Sequence, residues 1–299
     1  LYGGPLIVLQ GIYAKYYGLS LTAIASILLI ARLFDTITDP IIGFYSDRYH
    51  ARTGTRKPFI LAGAVVFIIG AYGLFIPPDE VSVAYILGSF LVFYLGYTLF
   101  NIPHYAWGSE ISNTAQDSTR TYTVRSLLIA TGALIFYSIP QLPFFSVSDF
   151  TPEILQWAVV ISGVALLPAI VLCISYVPNS FAVPKLADFN QRRSPAVEEL
   201  GDNQKVLSVL KSIKRNKPLL IFLSGFFLWN LGLGSWGGLL FIYIDSYLGV
   251  GEKFSMIALI GVACGILGVR VWSAIALKTG KVGAWMLSTM VMMSSLILM

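Results

Sequence analysis

The 299-residue sequence contains little charge and few of the side chains that bind metals or form disulfides. Charged residues make up only 12% of it, against about 25% in ordinary soluble domains, which argues against a soluble globular protein. Cys173 and Cys264 are its two cysteines. Both fall in apolar segments, where a thiol behaves as a small apolar residue, so no disulfide is expected. Its two histidines are too few for a multi-histidine metal centre, and we expect His104 to serve in packing or hydrogen bonding.

Long apolar runs take the place of the missing charge. Apolar residues make up 56% of the chain, and its mean hydropathy is +0.76. A helix needs about 20 residues to span the hydrocarbon core of a bilayer. Runs near this length cover residues 21–45, 58–76, 81–108, 126–145, 157–177, 219–244, 254–277 and 283–299. We therefore predict an all-α, polytopic membrane protein. Because the opening stretch 1–14 is shorter, we expect about nine helices in a fragment that is truncated at both ends.

The basic residues are distributed unevenly over the connections between these runs. Sixteen of the 20 lysines and arginines lie in or beside alternate connections, around residues 48–57, 120–125, 185–217 and 278–281. Cytoplasmic loops of membrane proteins carry an excess of lysine and arginine, so these connections are predicted to be cytoplasmic. Membrane topology thereby accounts for the net charge of +5. Nucleic acid is not expected as a partner.

The second apolar helix contains an arginine and two carboxylates. Arg32, Asp35 and Asp39 lie at i, i+3 and i+7, so they share one helix face. A charge at the centre of a bilayer costs about 2.5 to 3.5 kcal/mol, and such residues mark a functional site. Two carboxylates one turn apart repel each other, and this repulsion is relieved by a bound cation or by protonation of one carboxylate. The pair therefore predicts a cation site.

Two other interpretations fit an acid pair at helical spacing. On a soluble helix such a pair is usually a solvated surface, but the apolar flanks of Asp35 and Asp39 argue against that here. An intramembrane prenyltransferase or phospholipid synthase would use aspartates at this spacing to hold magnesium and a diphosphate. Such enzymes generally need further acidic clusters, and no other apolar run of this sequence contains one.

Two motifs extend from this helix into the following loop. The helix carries the pattern Arg-x2-Asp-x3-Asp-Pro-x2-Gly from Arg32 to Gly43, and the loop carries Asp47-Arg48 and then Gly-Thr-Arg-Lys at 54–57. The loop motif resembles the signature between helices two and three of the major facilitator superfamily. The helix motif is similar to that of its glycoside–pentoside–hexuronide cation symporter branch, typified by the melibiose permease. The resemblance implies the two-bundle major facilitator fold, with about nine of its twelve transmembrane helices in this chain.

The predicted fourth helix carries a polar stripe. Thr98, Asn101 and Tyr105 lie at i, i+3 and i+7 and share one face. On the residues alone, this stripe fits a polar packing face between helices equally well. Arg125 opens the fifth helix, where its long side chain could also extend to the membrane interface.

The resemblance assigns roles to these polar residues. It implies a cation site, with sodium at the two aspartates, formed by Asp35, Thr38, Asp39 and Thr98. It implies sugar contacts from Asn101, Tyr105 and Arg125. The melibiose permease has an aspartate at the position of Asn101, so this sequence departs from the pattern at a sugar-binding position.

Composition also divides the chain along its length. Residues 1–177 are predicted to form a first six-helix bundle whose first helix is truncated. Residues 178–218 are basic and polar and are predicted to form a cytoplasmic linker. Within it, the segment 205–214 has apolar residues at helical spacing and is expected to lie on the membrane surface. Residues 219–299 would begin a second bundle with helices seven to nine.

Together these features predict a secondary active transporter that couples a cation, sodium or a proton, to symport of a sugar or glycoside. No enzymatic activity is expected, and no cofactor beyond the coupling ion. The expected partners are a glycoside, pentoside or hexuronide, a monovalent cation and the lipid bilayer, in a cell membrane such as a bacterial inner membrane. The motif residues Asp47, Arg48 and Arg56 are expected to form a cytoplasmic latch. A sodium-coupled lysolipid carrier of the same fold is the alternative.

The predicted topology is testable with reporter fusions. Alkaline phosphatase, which is active only outside the cytoplasm, should be inactive when fused at Gly54, Asp117 or Asn203 and active when fused at Asp79 or Asp149, because the basic connections stay inside. A cytoplasm-active reporter at the same sites is the control and should give the opposite pattern. Phosphatase activity at the first three sites would contradict the two-bundle arrangement.

Overall fold

The computed structural model describes residues 3–78, 80–112, 114–143, 145, 150–179 and 216–297. Within these ranges the architecture consists of helices and short connections. In chain order the α-helices of these ranges are α1 Gly3–Tyr17, α2 Leu21–Thr53, α3 Lys57–Phe75, α4 Val83–Glu110, α5 Ala115–Ser138, α6 Pro152–Tyr176, α7 Lys217–Ile242 and α8 Phe254–Ile297. Short turns of 3-10 or π-helix follow α5 at Ile139–Gln141, follow α7 at Tyr243–Tyr247 and precede α8 at Gly251–Lys253.

The membrane-spanning character of the chain follows from the length and composition of these helices. Seven segments of the described residues are long and apolar enough to cross a membrane. α1 and the apolar helix Val282–Ser295 are shorter. This second short helix is the end of α8, which breaks at Gly280, where φ is 77°. The prediction of an all-helical, polytopic membrane protein is confirmed. Most of the predicted linker 178–218, including its amphipathic end, lies outside the described residues.

The ends of α2 are set by capping residues. The hydroxyl of Ser20 accepts a hydrogen bond from the backbone N–H of Ala23 at 3.2 Å and so caps the start of the helix. At the other end Gly54 adopts φ 70°, and its N–H donates to the carbonyl of His50. Glycine is favoured there because the left-handed conformation brings no Cβ clash. The turn places Arg56 directly after α2, next to the start of α3.

The tightest helix pair is α3 with α4, and glycines make it possible. A Cβ atom on Gly96 would collide with the backbone of Val66 and Phe67 on α3. In return, Cβ atoms on Gly63 and Gly70 would collide with the backbone of α4. Small residues let membrane helices approach closely enough for van der Waals packing along their backbones. This packing fixes α4, the helix that carries the polar stripe predicted from sequence.

The buried apolar core lies toward the end of the bundle where α1, α5 and α7 finish. It includes the fully buried side chains of Leu9, Leu74 and Ile86. The hydroxyl of Tyr13 crosses this core and donates to the carbonyl of Leu74 at 2.7 Å. Gly11 of α1 packs directly beneath an aromatic ring of α7. The helices before residue 180 and those after residue 216 therefore share one core at this end.

The α3–α4 contact predicts a matched pair of variants on one helix. Gly96→Leu should lower the stability of the protein by about 1 to 3 kcal/mol, because the added side chain overpacks a filled interface. Gly88→Leu on the same helix should have little effect, since a Cβ atom there meets nothing within 4 Å. Thermal unfolding in detergent measures both. Equal transition temperatures for the two variants would contradict the close packing.

Candidate functional site

The two aspartates predicted to bind a cation lie midway along α2. Asp39 Oδ1 accepts a hydrogen bond from Thr98 Oγ1 at 2.9 Å. Thr98 belongs to α4 and is only 3% exposed. This single contact joins α2 to α4 through two of the residues predicted for the cation site.

The second aspartate is only partly satisfied by the protein. Arg32 Nη1 donates to Asp35 Oδ2 at a long distance of 3.5 Å, and the Arg32 guanidinium lies 5.0 Å from the centre of the Tyr94 ring. The other oxygen, Asp35 Oδ1, is buried and has no hydrogen-bond partner among the described residues. Leaving a buried charged acceptor without a partner costs free energy. A bound cation would supply the missing partner of Asp35 Oδ1, so the residues at this position suit a cation site.

Thr38 lies on the same stretch of α2, but its hydroxyl is directed to its own helix. Thr38 Oγ1 donates to the carbonyl of Phe34 at 3.1 Å and approaches that of Asp35 at 3.4 Å. The described residues contain no group of three or more His, Cys, Asp or Glu side chains that could hold a metal ion. Any cation at this site would therefore be held by two carboxylates together with hydroxyl or carbonyl oxygens, a donor set of the kind that hard cations prefer.

The three residues predicted to contact sugar are brought together around one guanidinium. Arg125 Nη2 donates to Asn101 Oδ1 at 2.6 Å, and the guanidinium lies over the Tyr105 ring at 3.7 Å from its centre. Tyr105 in turn stacks on Tyr122 of α5, with ring centres 5.8 Å apart. Arg125 thus turns back into the bundle rather than out to the membrane interface.

His104 also belongs to this group, although the sequence suggested only packing or hydrogen bonding for it. Its Nδ1 lies 2.5 Å from Arg125 Nη1, and its ring stacks on Phe100 at 5.5 Å. His104 lies three residues after Asn101 on α4, so helical spacing places the two side chains side by side, but nothing in the sequence indicated Arg125 as their common partner. We refer to Asn101, His104, Tyr105 and Arg125 as the Arg125 cluster.

Two of the three residues predicted for the cytoplasmic latch, Asp47 and Arg56, are in contact, and Arg56 is 5% exposed. Its Nη1 lies 2.7 Å from Asp47 Oδ1 and its Nη2 lies 2.7 Å from Glu110 Oε1. Burial disfavours the charge on Arg56, but the hydrogen bonds and charges of Glu110 and Asp47 outweigh it and raise the pKa of its guanidinium. Arg48 is exposed and makes no hydrogen bond or ion pair with another described residue.

Sequence reasoning missed three members of this latch. Ser46 accepts from Arg56 Nη1 at 2.9 Å, and His50 Nε2 lies 3.7 Å from Glu110 Oε2. Ser46 and His50 are both buried. Their i, i+4 spacing on α2 was a usable signal. Glu110 is the last residue of α4 and faces Arg56.

The opposite end of the bundle holds contacts between the early and late helices that the sequence did not suggest. Lys15 of α1 lies 3.4 Å from Asp245 Oδ1, just after α7. Gln141 Nε2, after α5, donates at 2.8 Å to the buried hydroxyl of Ser255 at the start of α8. Between these polar contacts lies a cluster of buried rings from both parts of the chain, formed by Phe136, Tyr137, Phe150, Phe241 and Phe254. We call these contacts the aromatic seal.

A cleft separates α5 and α8 below the aromatic seal. Its volume is about 740 Å³. Most of its lining is apolar, but Tyr122 and Ser126 contribute hydroxyl groups. Because Tyr122 also stacks on Tyr105, the cleft adjoins the Arg125 cluster.

Comparison with known proteins identifies the family. The family model described as MFS/sugar transport protein matches residues 4–299. The spanning helices and this match define a membrane transport protein, and the chain belongs to the sugar-transport group of the major facilitator superfamily.

Several curated relatives carry symporter or transporter names. The uncharacterized symporter YnaJ of Bacillus subtilis (strain 168) is 25% identical over 79% of this chain and 49% of its own length. The putative glycoside/cation symporter YagG of Escherichia coli (strain K12) is 30% identical over 48% of this chain and 31% of its own. The isoprimeverose transporter of Lactiplantibacillus pentosus is 22% identical over 74% and 44%. The chain therefore spans about half, or less, of these relatives. No solved structure matches it significantly.

The aromatic seal predicts a cross-linking phenotype. In a background with Cys173 and Cys264 replaced by serine, Gln141→Cys and Ser255→Cys should be bridged by a short bifunctional thiol reagent, because the native side chains lie in hydrogen-bond contact. If the seal must open for transport, bridging should abolish uptake, and a reversible linker should restore it on cleavage. The single-cysteine variants treated identically are the controls. Full uptake by the bridged protein would contradict a seal that opens.

Proposed function

We propose that this chain is part of a cation-coupled symporter that moves a sugar or glycoside across a cell membrane, with sodium or a proton as the coupling ion. The observation that best supports the proposal is that α4 contacts both Asp39 of the aspartate pair on α2 and Arg125 of α5. Thr98 on α4 binds the carboxylate of Asp39, and Asn101, one turn further along α4, accepts from Arg125. A cation site and a polar site for hydroxylated ligands therefore share one rigid helix.

The coupling mechanism follows from electrostatics and linkage. Without a cation, Asp35 and Asp39 repel each other, and one oxygen of Asp35 stays buried without a partner in the described part of the chain. A cation offsets both costs and holds α2 against α4. If cation binding raises the affinity for sugar, sugar must raise the affinity for the cation by the same factor.

The Arg125 cluster supports a sugar as the ligand. A sugar offers hydroxyl groups that both donate and accept hydrogen bonds, which match the guanidinium donors and the amide of Asn101. An aromatic ring such as Tyr105 or Tyr122 offers an apolar face for the C–H face of a sugar ring. The relatives named for glycosides and for isoprimeverose agree with this assignment. For the whole protein, we propose a glycoside, pentoside or hexuronide as the substrate.

The two ends of the bundle provide the two gates. In the proposed cycle, the aromatic seal closes the outer end while the Arg56 latch holds the helix ends on the side predicted to be cytoplasmic. Rocking of two bundles about a midplane site would open one end as the other closes. We propose residues 1–177 and 219–299 as parts of these bundles, in a bacterial cell membrane like those of the relatives' organisms.

A sodium-coupled lysolipid carrier is the second candidate of the same fold. The mostly apolar cleft between α5 and α8 favours it, because an acyl chain would fill such a space. The polar Arg125 cluster beside the cleft favours the sugar. An intramembrane transferase is a weaker hypothesis because the transporter family match covers nearly the whole chain. Diphosphate-dependent binding of magnesium would favour the enzyme, and sodium-dependent sugar uptake into vesicles would exclude it as the main role.

Coupling is tested at the aspartates. Asp39→Cys should abolish cation-driven accumulation of sugar in membrane vesicles, and Asp35→Cys should reduce it strongly, because each removes a carboxylate of the cation site. Downhill exchange should persist in part, since the proposed sugar contacts lie on α4 and α5. Asp117→Asn, at the start of α5, is the control and should accumulate sugar normally. Retention of sodium-stimulated accumulation in both cysteine variants would sink the cation-site assignment.

Substrate charge is tested at Asn101. Asn101→Asp would place a carboxylate 2.6 Å or so from Arg125, as the amide oxygen is now, and would neutralise the guanidinium. The substitution should weaken binding of a glucuronide more than binding of a matched neutral glucoside, by about 1 kcal/mol or more, because the glucuronide carboxylate meets a like charge in a partly desolvated site. Competition assays with both ligands in the wild type and the variant measure the difference. Equal effects on both ligands would identify Asn101 as a packing residue only.

A further inference from the structure

Arg56 and Arg125 are held in opposite ways. Arg56 contacts two carboxylates, Asp47 and Glu110, so its charge is cancelled by the protein. Arg125 contacts an amide oxygen, an imidazole nitrogen and an aromatic face, and it has no carboxylate partner among the described residues. Its Nε is buried without a hydrogen-bond partner in the same part of the chain. Arg125 thus keeps both its charge and unused donors.

The contact with His104 requires one form of the imidazole. Every N–H of a guanidinium is a donor, and arginine has no acceptor. His104 Nδ1, 2.5 Å from Arg125 Nη1, must therefore offer a lone pair, with the ring neutral and its proton on Nε2. A protonated ring would place a donor against a donor and a positive charge against the guanidinium. The stack on Phe100, whose ring is tilted by only 15° from that of His104, holds the imidazole plane for this role.

The two acceptors together fix the direction of the guanidinium. Asn101 occupies a proton on Nη2 and His104 occupies one on Nη1. The Tyr105 ring lies against the flat face of the guanidinium. The guanidinium is therefore restrained both from rotating within its own plane and from tilting out of that plane. Of its five N–H groups, one on each terminal nitrogen remains for a ligand, while the buried Nε–H has no partner among the described residues.

We propose that His104 is a positioning residue for substrate recognition: as a neutral acceptor, it holds Arg125 so that the free guanidinium donors meet the oxygens of the transported ligand. This inference rests on the proposed function, because it takes Arg125 to be the ligand contact. A neutral acceptor suits the task because it orients the guanidinium without cancelling its charge, as a carboxylate would.

The contact itself is testable without any ligand. The sequence has only two histidines, His50 and His104, so a ¹⁵N-histidine spectrum of the purified protein in detergent is assignable with a His50→Gln variant. At neutral pH, His104 should give the Nε2–H tautomer with a hydrogen-bonded, unprotonated Nδ1. Arg125→Gln should shift the Nδ1 signal and leave the His50 signals unchanged. Protonation of His104 at Nδ1, or a spectrum indifferent to Arg125→Gln, would overturn the proposal.

The role in recognition is tested with conservative variants and a defined probe. His104→Phe keeps a ring to stack on Phe100 but removes the acceptor, whereas His104→Asn places an amide oxygen near the position of Nδ1. Binding of 4-nitrophenyl glucoside and glucuronide should weaken about tenfold or more in His104→Phe, as expected for loss of a hydrogen bond to a charged group, and should recover largely in His104→Asn. Circular dichroism and thermal unfolding establish that both variants fold.

The outcomes separate the two proposals. Wild-type protein that binds neither glycoside while its spectrum shows the His104–Arg125 contact would reject the glycoside assignment and leave the positioning contact standing. Wild-type binding that is unchanged in His104→Phe would reject the role of His104 and leave the glycoside assignment standing. His50→Gln is the matched histidine control and should bind both probes like the wild type.

Discussion

A buried charge that lacks a partner is costly inside an apolar helix bundle, and this constraint distinguishes the contacts of Arg56 from those of Asp35 and Arg125. Arg56 is satisfied by two carboxylates and a serine hydroxyl. Because these partners lie near the ends of α2 and α4, Arg56 holds the two helix ends together. The Asp35–Asp39 pair and Arg125 are incomplete: one offers an unpaired carboxylate oxygen and the other an unpaired guanidinium Nε among the described residues. These incomplete groups of opposite sign lie on two helices that both contact α4, and a cation and an oxygen-rich ligand would complete them.

Tight packing of α3 against α4 gives these groups a fixed reference. The glycines at 63, 70 and 96 bring the two backbones into direct contact, and protein interfaces packed to this density shift between discrete arrangements rather than deforming gradually. Thr98 and Asn101 follow Gly96 on the same helix. Asp39 on α2 and Arg125 on α5 both contact α4. A small movement of either helix would therefore act on the same rigid helix, and α4 is the simplest physical connection between the two sites.

The sequence was most informative where charged or polar residues interrupt an apolar run. Charges within an apolar run identified Asp35 and Asp39, and helical spacing alone placed Thr98 with Asn101 on the face that meets α2 and α5. The helical, membrane-spanning character of the described segments followed from hydropathy. Contacts that depend on the angle between helices did not follow: nothing in the spacing of Glu110, Ser255 or Asp245 indicates which distant residue each would meet. The partner of His104 was not foreseen for the same reason, since it is 21 positions away on another helix.

The contacts at the two ends of the bundle differ in a way that bears on the direction of movement. At the end with the aromatic seal, α1 and α5 are joined to α7 and α8 by buried rings, an ion pair and a hydrogen bond. At the other end, the described polar contacts of Arg56 and of Lys57, which donates to the carbonyl of Ile174 on α6, all remain among helices that precede residue 180. Among the described residues, apolar burial between the early and late helices is thus concentrated at one end. Under the proposed function, a rigid-body rotation that opened that end would have to expose the rings, and the free energy for this exposure would come from ligand and cation completing the groups on α2, α4 and α5. In this scheme, binding of both ligands together offsets the cost more fully than binding of either alone, which is the physical condition for symport.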